Sequence, residues 1–134
     1  MEEWKKYLGD GLAYCKTVLG ARVKKKNFGN AVLYNLIGLS IESLLMALLL
    51  RDRQLPEHSS IVTMLNMLRK NYEMPESFKT ESRFYNQFMN FCSLDIMENV
   101  DPTDPELERM IAFLVNIREW VNQQIQKTPV QLID

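Results

Sequence analysis

The single histidine of the chain, His58, follows two arginines, Arg51 and Arg53, in the segment RDRQLPEH. An imidazole titrates near neutral pH and can relay protons, and a neighbouring guanidinium can hold a phosphate through paired hydrogen bonds. Together they would suit acid/base chemistry beside a bound phosphate, with Arg53 or Arg51 on the phosphate and His58 moving the proton. No Ser-His-Asp arrangement, phosphate-cradling glycine loop, CxxC pair or Cys/His cluster accompanies them, so neither a cofactor nor a metal is expected. The structural reading of the same residue is a histidine that packs at a helix start and helps to cap it. A second pair, Asn35 and Glu42, lies inside the most apolar stretch of the chain. A carboxylate there needs donors or a raised pKa, and either would set it in a polar pocket with Asn35. That pocket would bind a ligand or be a satisfied structural network. Cys15 and Cys92 fall at core-facing helical positions and read as reduced thiols.

These residues need elements to hold them, and the first is residues 31–50, AVLYNLIGLSIESLLMALLL. The stretch has good helix formers and no proline, and it is too apolar to show only one face to a core. Asn35, Gly38 and Glu42 are spaced three and four residues apart, along one side of such a helix. About twenty residues would reach across a membrane. Glu42 near the middle would cost roughly 2.5–3.5 kcal/mol there, on the value for the related Asp, and Asn35, Ser40 and Ser43 add to it. The centre of a bundle is the expected place.

Around it the spacing of apolar residues predicts four more helices. Trp4, Leu8, Leu12, Cys15 and Val18 or Leu19 mark a first helix over residues 2–24, in which Gly9, Gly11 and Gly20 would permit a kink or a close helix approach. Arg22, Lys24, Lys25 and Lys26 end it as a basic run, and Asn27, Gly29 and Asn30 supply a turn. Pro56 fixes the next loop, with a cap at Ser59 or His58 and a short helix over residues 60–71. Phe78, Phe84 or Tyr85, Phe88 and Phe91 or Cys92 form an aromatic stripe on a helix over residues 77–93. With only Lys79 and Arg83 near it, that stripe reads as core rather than as a platform for stacking bases. Residues 94–104 are an acidic loop ending in a start signal: Thr103 or Asp104 as cap, Pro105 at the first helical position, Glu106 and Glu108 by the positive helix end. The last helix reaches about residue 126, leaving KTPVQLID as a non-helical end.

The expected fold is therefore all-α, an up-and-down bundle of four long helices and one shorter one. It forms a single domain over residues 1–127 with a tail over 128–134. At 134 residues such a chain buries about two thirds of its unfolded surface and folds without disulfide or metal. The 16 basic and 17 acidic side chains nearly cancel, which argues against a general nucleic-acid binder. Their distribution is uneven, eleven basic and six acidic in residues 1–70 against five and eleven in residues 71–134, enough for a basic and an acidic pole. The charged start MEEWKKYLGD lacks the apolar run of a secretory signal and points to the cytoplasm.

The block from Ser40 to Leu68, SIESLLMALLLRDRQLPEHSSIVTMLNML, resembles the HEPN family, the higher eukaryotes and prokaryotes nucleotide-binding domains. Ser40 and Glu42 match the small residue followed two on by Glu, Ala47, Leu48 and Leu49 match the leucine-rich run, and His58 with Ser59 matches the start of the following helix. Met46 stands where many members carry lysine. The resemblance implies a small helical bundle that dimerises, and a non-catalytic binding module acting beside a small nucleotidyltransferase, as in toxin–antitoxin pairs. Nucleotide or RNA would be its ligand, and Asn35, Glu42, Arg51, Arg53 and His58 its candidate binding residues. The alternative is a toxin-like, metal-independent ribonuclease using Arg53 and His58, which have the Arg-to-His spacing of the family's nucleases. Those members carry the motif late, near the start of the last helical hairpin, where SLDIMENVDPTD has neither Arg nor His.

Overall fold

An apolar helix placed in water must be covered, and helix α2 (Asn30–Arg51) is covered on most of its circumference. Ile37, Ile41, Leu44, Leu45, Leu48 and Leu49 are fully enclosed, each side chain contributing about 1.5–3 kcal/mol of transfer free energy. The computed structural model describes residues 3–24, 29–58, 60–94 and 101–127. Besides α2 it contains α1 (Glu3–Lys24), α3 (Ile61–Arg69), α4 (Ser77–Leu94) and α5 (Asp104–Lys127). There are no strands among the described residues, and the fold is an all-α helical bundle of four long helices and a shorter one. The tail 128–134, residues 25–28, Ser59, residues 95–100 and the side chain of Cys92 lie outside the described residues.

Helix directions follow from which residues meet. Asn30 at the start of α2 donates to Pro102 O (2.8 Å) and Asp104 Oδ1 (2.9 Å) at the start of α5, while Arg51 at the end of α2 donates to Ile125 O (3.0 Å) near the end of α5. The two helices therefore run parallel. Helix α4 runs against α5, since Glu81 bonds Arg109 while Phe78 meets Phe113 and Trp120. Arg22, late in α1, reaches Glu108, early in α5, so α1 is antiparallel to both α2 and α5. The result is up, down, up, down, with α3 a short insertion before α4.

Two glycines set how closely α2 is approached. At Gly11 a Cβ would lie 2.8 Å from Leu44 Cγ, and the Gly11 carbonyl accepts a 2.7 Å bond from the buried Ser40 hydroxyl. This is the close approach expected of a glycine in the first helix, with Cys15 and Val18 fully buried beside it. Gly38 does not share an open polar side with Asn35. It is buried against α4, where an added Cβ would run into the Tyr85 hydroxyl. That hydroxyl donates to Tyr34 O (2.8 Å), the Tyr34 hydroxyl donates to Tyr85 O (3.2 Å), and the rings stack with centroids 4.4 Å apart. The aromatic helix is thus core at Phe78 and Tyr85, with Phe84 and Phe88 packed at its margin.

The helix starts differ slightly from expectation. Ser60, not His58, caps α3, accepting from Thr63 N at 3.1 Å. Thr103 and Glu106 form a reciprocal capping box on α5, with bonds of 2.9 and 3.3 Å. Asp104 is then the first helical residue and Pro105 the second, where a missing amide is equally harmless.

Gly38→Ala tests the α2–α4 contact. The added methyl meets a hydroxyl held by a stacked ring, so overpacking of about 1–3 kcal/mol outweighs the helix-propensity gain of up to about 1 kcal/mol. Thermal melts are expected to fall by several degrees, and Gly38→Ala with Tyr85→Phe should melt above Gly38→Ala alone. A Gly38→Ala protein melting at or above wild type would show that Tyr85 is not held against α2.

Candidate functional site

Arg51 occupies the last turn of α2, and its side chain is only 8% exposed. Its guanidinium donates to Ile125 O at 3.0 Å and Gln124 O at 3.5 Å, near the C-terminal end of α5. Parallel packing brings two negative helix ends together, and a buried cation between them is favoured by both dipoles. Its Nε has no hydrogen-bond partner and lies 3.9 Å from Asp52 Oδ1. The other Asp52 oxygen accepts from the Tyr72 hydroxyl at 2.6 Å. Burial and then the Asp52 carboxylate push the Tyr72 phenol up to about 12, with Arg51 opposing. Arg51 is a structural tie between helix ends, and its donors face the protein rather than an incoming anion.

Arg53 and His58 lie on the exposed loop that follows. Arg53 N donates to Leu50 O (2.9 Å) and Gln54 N to Leu49 O (2.8 Å), the paired bonds of a Schellman stop in which Arg53 takes the left-handed position, φ 63°. Glycine usually fills that position, so Arg53 carries a backbone cost of roughly 1–2 kcal/mol. Its place is fixed by the helix stop. Among the described residues no hydrogen bond or ion pair joins Arg53 to His58, and His58 is exposed in the loop before the Ser60 cap. The spacing that suggested a proton shuttle beside a phosphate clamp does not produce one paired constellation in the described structure.

Asn35 and Glu42 do not share a pocket. Asn35 is exposed and Glu42 half-buried, two turns further along α2. Burial pushes the Glu42 carboxyl up, and among the described residues no donor reaches it. Of the two features expected of a buried carboxylate, it therefore has the raised pKa and not the pairing. Cys15 is fully buried, with an Arg118 Nη1 3.6 Å from its sulfur. Burial raises the thiol and Arg118 partly offsets this. Among the described residues no three His, Cys, Asp or Glu side chains gather as a metal site would require.

Among the described residues, other side chains line two surface cavities. A shallow one of about 610 Å³ lies beside Tyr72, Glu73, Trp120 and Lys127, with mixed charge. A more enclosed one of about 260 Å³ runs between α3 and α4, lined by Val62, Leu65, Asn66, Arg69, Lys79, Ser82 and Arg83. Its cations come from helical spacing. Asn66 and Arg69 are three apart on α3, while Lys79, Ser82 and Arg83 follow the i, i+3, i+4 rule on α4. In the sequence Lys79 and Arg83 read only as basic neighbours of the aromatic stripe, and Arg69 carries no assignment. The available signal was a short helix pair joined by residues 70–76, which must fold back as a hairpin and place the three cations together.

Glu42 has a consequence for pH. Its folded pKa lies above the unfolded value near 4.3, so the folded state holds the proton more tightly and stability falls as pH rises through the folded pKa. Glu42→Gln removes the ionised form. It is expected to melt higher than wild type at pH 7 and to lose that advantage below about pH 4. A pH series of melts in which the Gln variant is less stable at pH 7 would reveal a donor on the ionised carboxylate.

No protein-family model matches the chain, and no curated protein matches it. Among solved structures it is similar to the crystal structure of TT1696 from Thermus thermophilus, with a TM-score of 0.74 and 16% identity over 92% of this chain and 98% of that one. At that identity the likeness shows the fold alone, consistent with an all-α helical bundle.

Proposed function

We propose that the protein is a non-catalytic, HEPN-like helical binding and assembly module of the cytoplasm that works as a homodimer, beside a nucleotidyltransferase-type partner. The observation that carries the dimer is on α2. Val32 and Leu39 are 47% and 45% exposed on the most apolar helix of the chain, seven residues apart and hence on one side of it. A two-fold contact uses the same patch on both copies, and this patch sets two large apolar side chains in solvent, beside the exposed Asn35, on a helix whose other apolar residues are mostly buried.

The family part of the reading is supported by the Ser40–Leu68 block, and its non-catalytic part by where Arg51 and His58 stand. Arg51 is occupied at the helix ends, and His58 stands in a loop without a bonded cation or hydroxyl among the described residues. The reading of α2 as a bundle helix rather than a membrane span is supported by its burial. The helix is long and apolar enough to cross a membrane, with a mean hydropathy of 1.8, yet 61% of that window is buried within the bundle.

Light scattering on the purified chain tests the assembly. Wild type is expected at twice the 15.7 kDa chain mass at micromolar concentration, and Leu39→Arg near the single-chain mass with an unchanged helical spectrum. Glu42→Gln should dimerise at least as well as wild type, since covering this side of α2 desolvates the carboxylate further. A wild-type mass near 15.7 kDa would remove the dimer from the account.

A further inference from the structure

We propose that the groove between α3 and α4 is an anion site for the phosphate end of a small molecule, held by Arg69, Lys79 and Arg83. The convergence of three cations on one groove that no carboxylate lines carries the inference. Arg69, Lys79 and Arg83 line one groove, and among the described residues none of them has an ion pair or a side-chain hydrogen bond to a carboxylate. No Asp or Glu lines the groove, although Glu76 is only three residues before Lys79. Three like charges facing one concavity repel one another, and an anion with two or more charges relieves that repulsion.

The chemistry of the lining narrows the ligand. Two guanidiniums offer planar forks that match phosphate oxygens, and one ammonium adds a point charge. Leu65 and Ser82 are buried and form the floor, which keeps water from one side and strengthens the attraction. The Ser82 hydroxyl donates to Lys79 O at 3.0 Å and so belongs to the wall. The first amides of α4 bond Pro75 O and Glu76 O at 3.1 Å, leaving recognition to side chains. Asn66 adds an exposed amide. A volume of about 260 Å³ is below the roughly 300–1,000 Å³ of pockets that engulf whole drug-sized ligands. It suits a diphosphate group with the remainder of the molecule outside. This assignment uses none of Asn35, Glu42, Arg51, Arg53 or His58 and does not depend on the HEPN-like reading.

Titration calorimetry with pyrophosphate, ATP and adenosine tests it on the full chain. Saturable binding of pyrophosphate and ATP is expected, with no binding of adenosine. Affinity should fall at least tenfold in Arg69→Ala with Arg83→Ala and severalfold in Lys79→Ala, while Lys127→Ala, a cation outside the groove, binds as wild type. All these side chains are exposed, and unchanged melts confirm that each variant is folded. The assignment is overturned if millimolar pyrophosphate does not bind, if the double variant binds it as wild type does, or if adenosine binds as well as ATP. It is equally overturned if only a single-stranded oligonucleotide binds and pyrophosphate does not compete.

Discussion

Covering α2 is the constraint on which the remainder of the molecule depends. Its apolar residues recur at every helical phase, so no single neighbour can hide them. Helix α1 approaches most closely at Gly11, α5 lies alongside in parallel, α3 closes the C-terminal half, and α4 is fastened through the Tyr34–Tyr85 exchange. Each contact is specified by a small residue or a buried polar bond rather than by apolar area alone. Greasy area could be covered in many registers. A glycine under Leu44 and another under the Tyr85 hydroxyl admit few.

The parallel pairing of α2 and α5 brings like helix ends together, and the chain answers at both. At the N-terminal ends, Asn30 joins the Asp104 carboxylate, placed with Glu106 where positive dipoles converge. At the C-terminal ends the enclosed Arg51 guanidinium meets the α5 carbonyls, balanced by Asp52 and Tyr72. Removing one partner of such a buried network commonly costs about 3–5 kcal/mol. This explains why an arginine resembling an anion clamp in the sequence is structural in the fold.

What was legible in the sequence was whatever local pattern decides. The α2 run, the aromatic core face of α4 at Phe78 and Tyr85, and the start signal of α5 are local, and the structure has them with shifts of a residue or two. Pro105 moved to the second helical position because Thr103 and Glu106 close a box that begins one residue earlier. Ser60 displaced His58 as cap because the hydroxyl, and not the ring, meets Thr63 N. What was not legible depends on pairs far apart in the chain. Gly38 with Tyr85 and Arg51 with Ile125 are set by helix packing, which hydrophobic period alone does not encode. Asn35 and Glu42 share a side by spacing, yet the bundle exposes one and half-buries the other.

If α2 is the enclosed centre, its middle amides open only when the whole bundle unfolds, whereas the nine residues of α3 can open locally. Native-state hydrogen exchange, read residue by residue, measures this directly. Amides from Ile41 to Leu48 are expected to be the slowest in the chain together with the middle of α5, with opening free energies equal to that from denaturant unfolding. Protection there no greater than in α3 would contradict the account, because it would mean that α2 can leave its neighbours while the rest of the bundle stands.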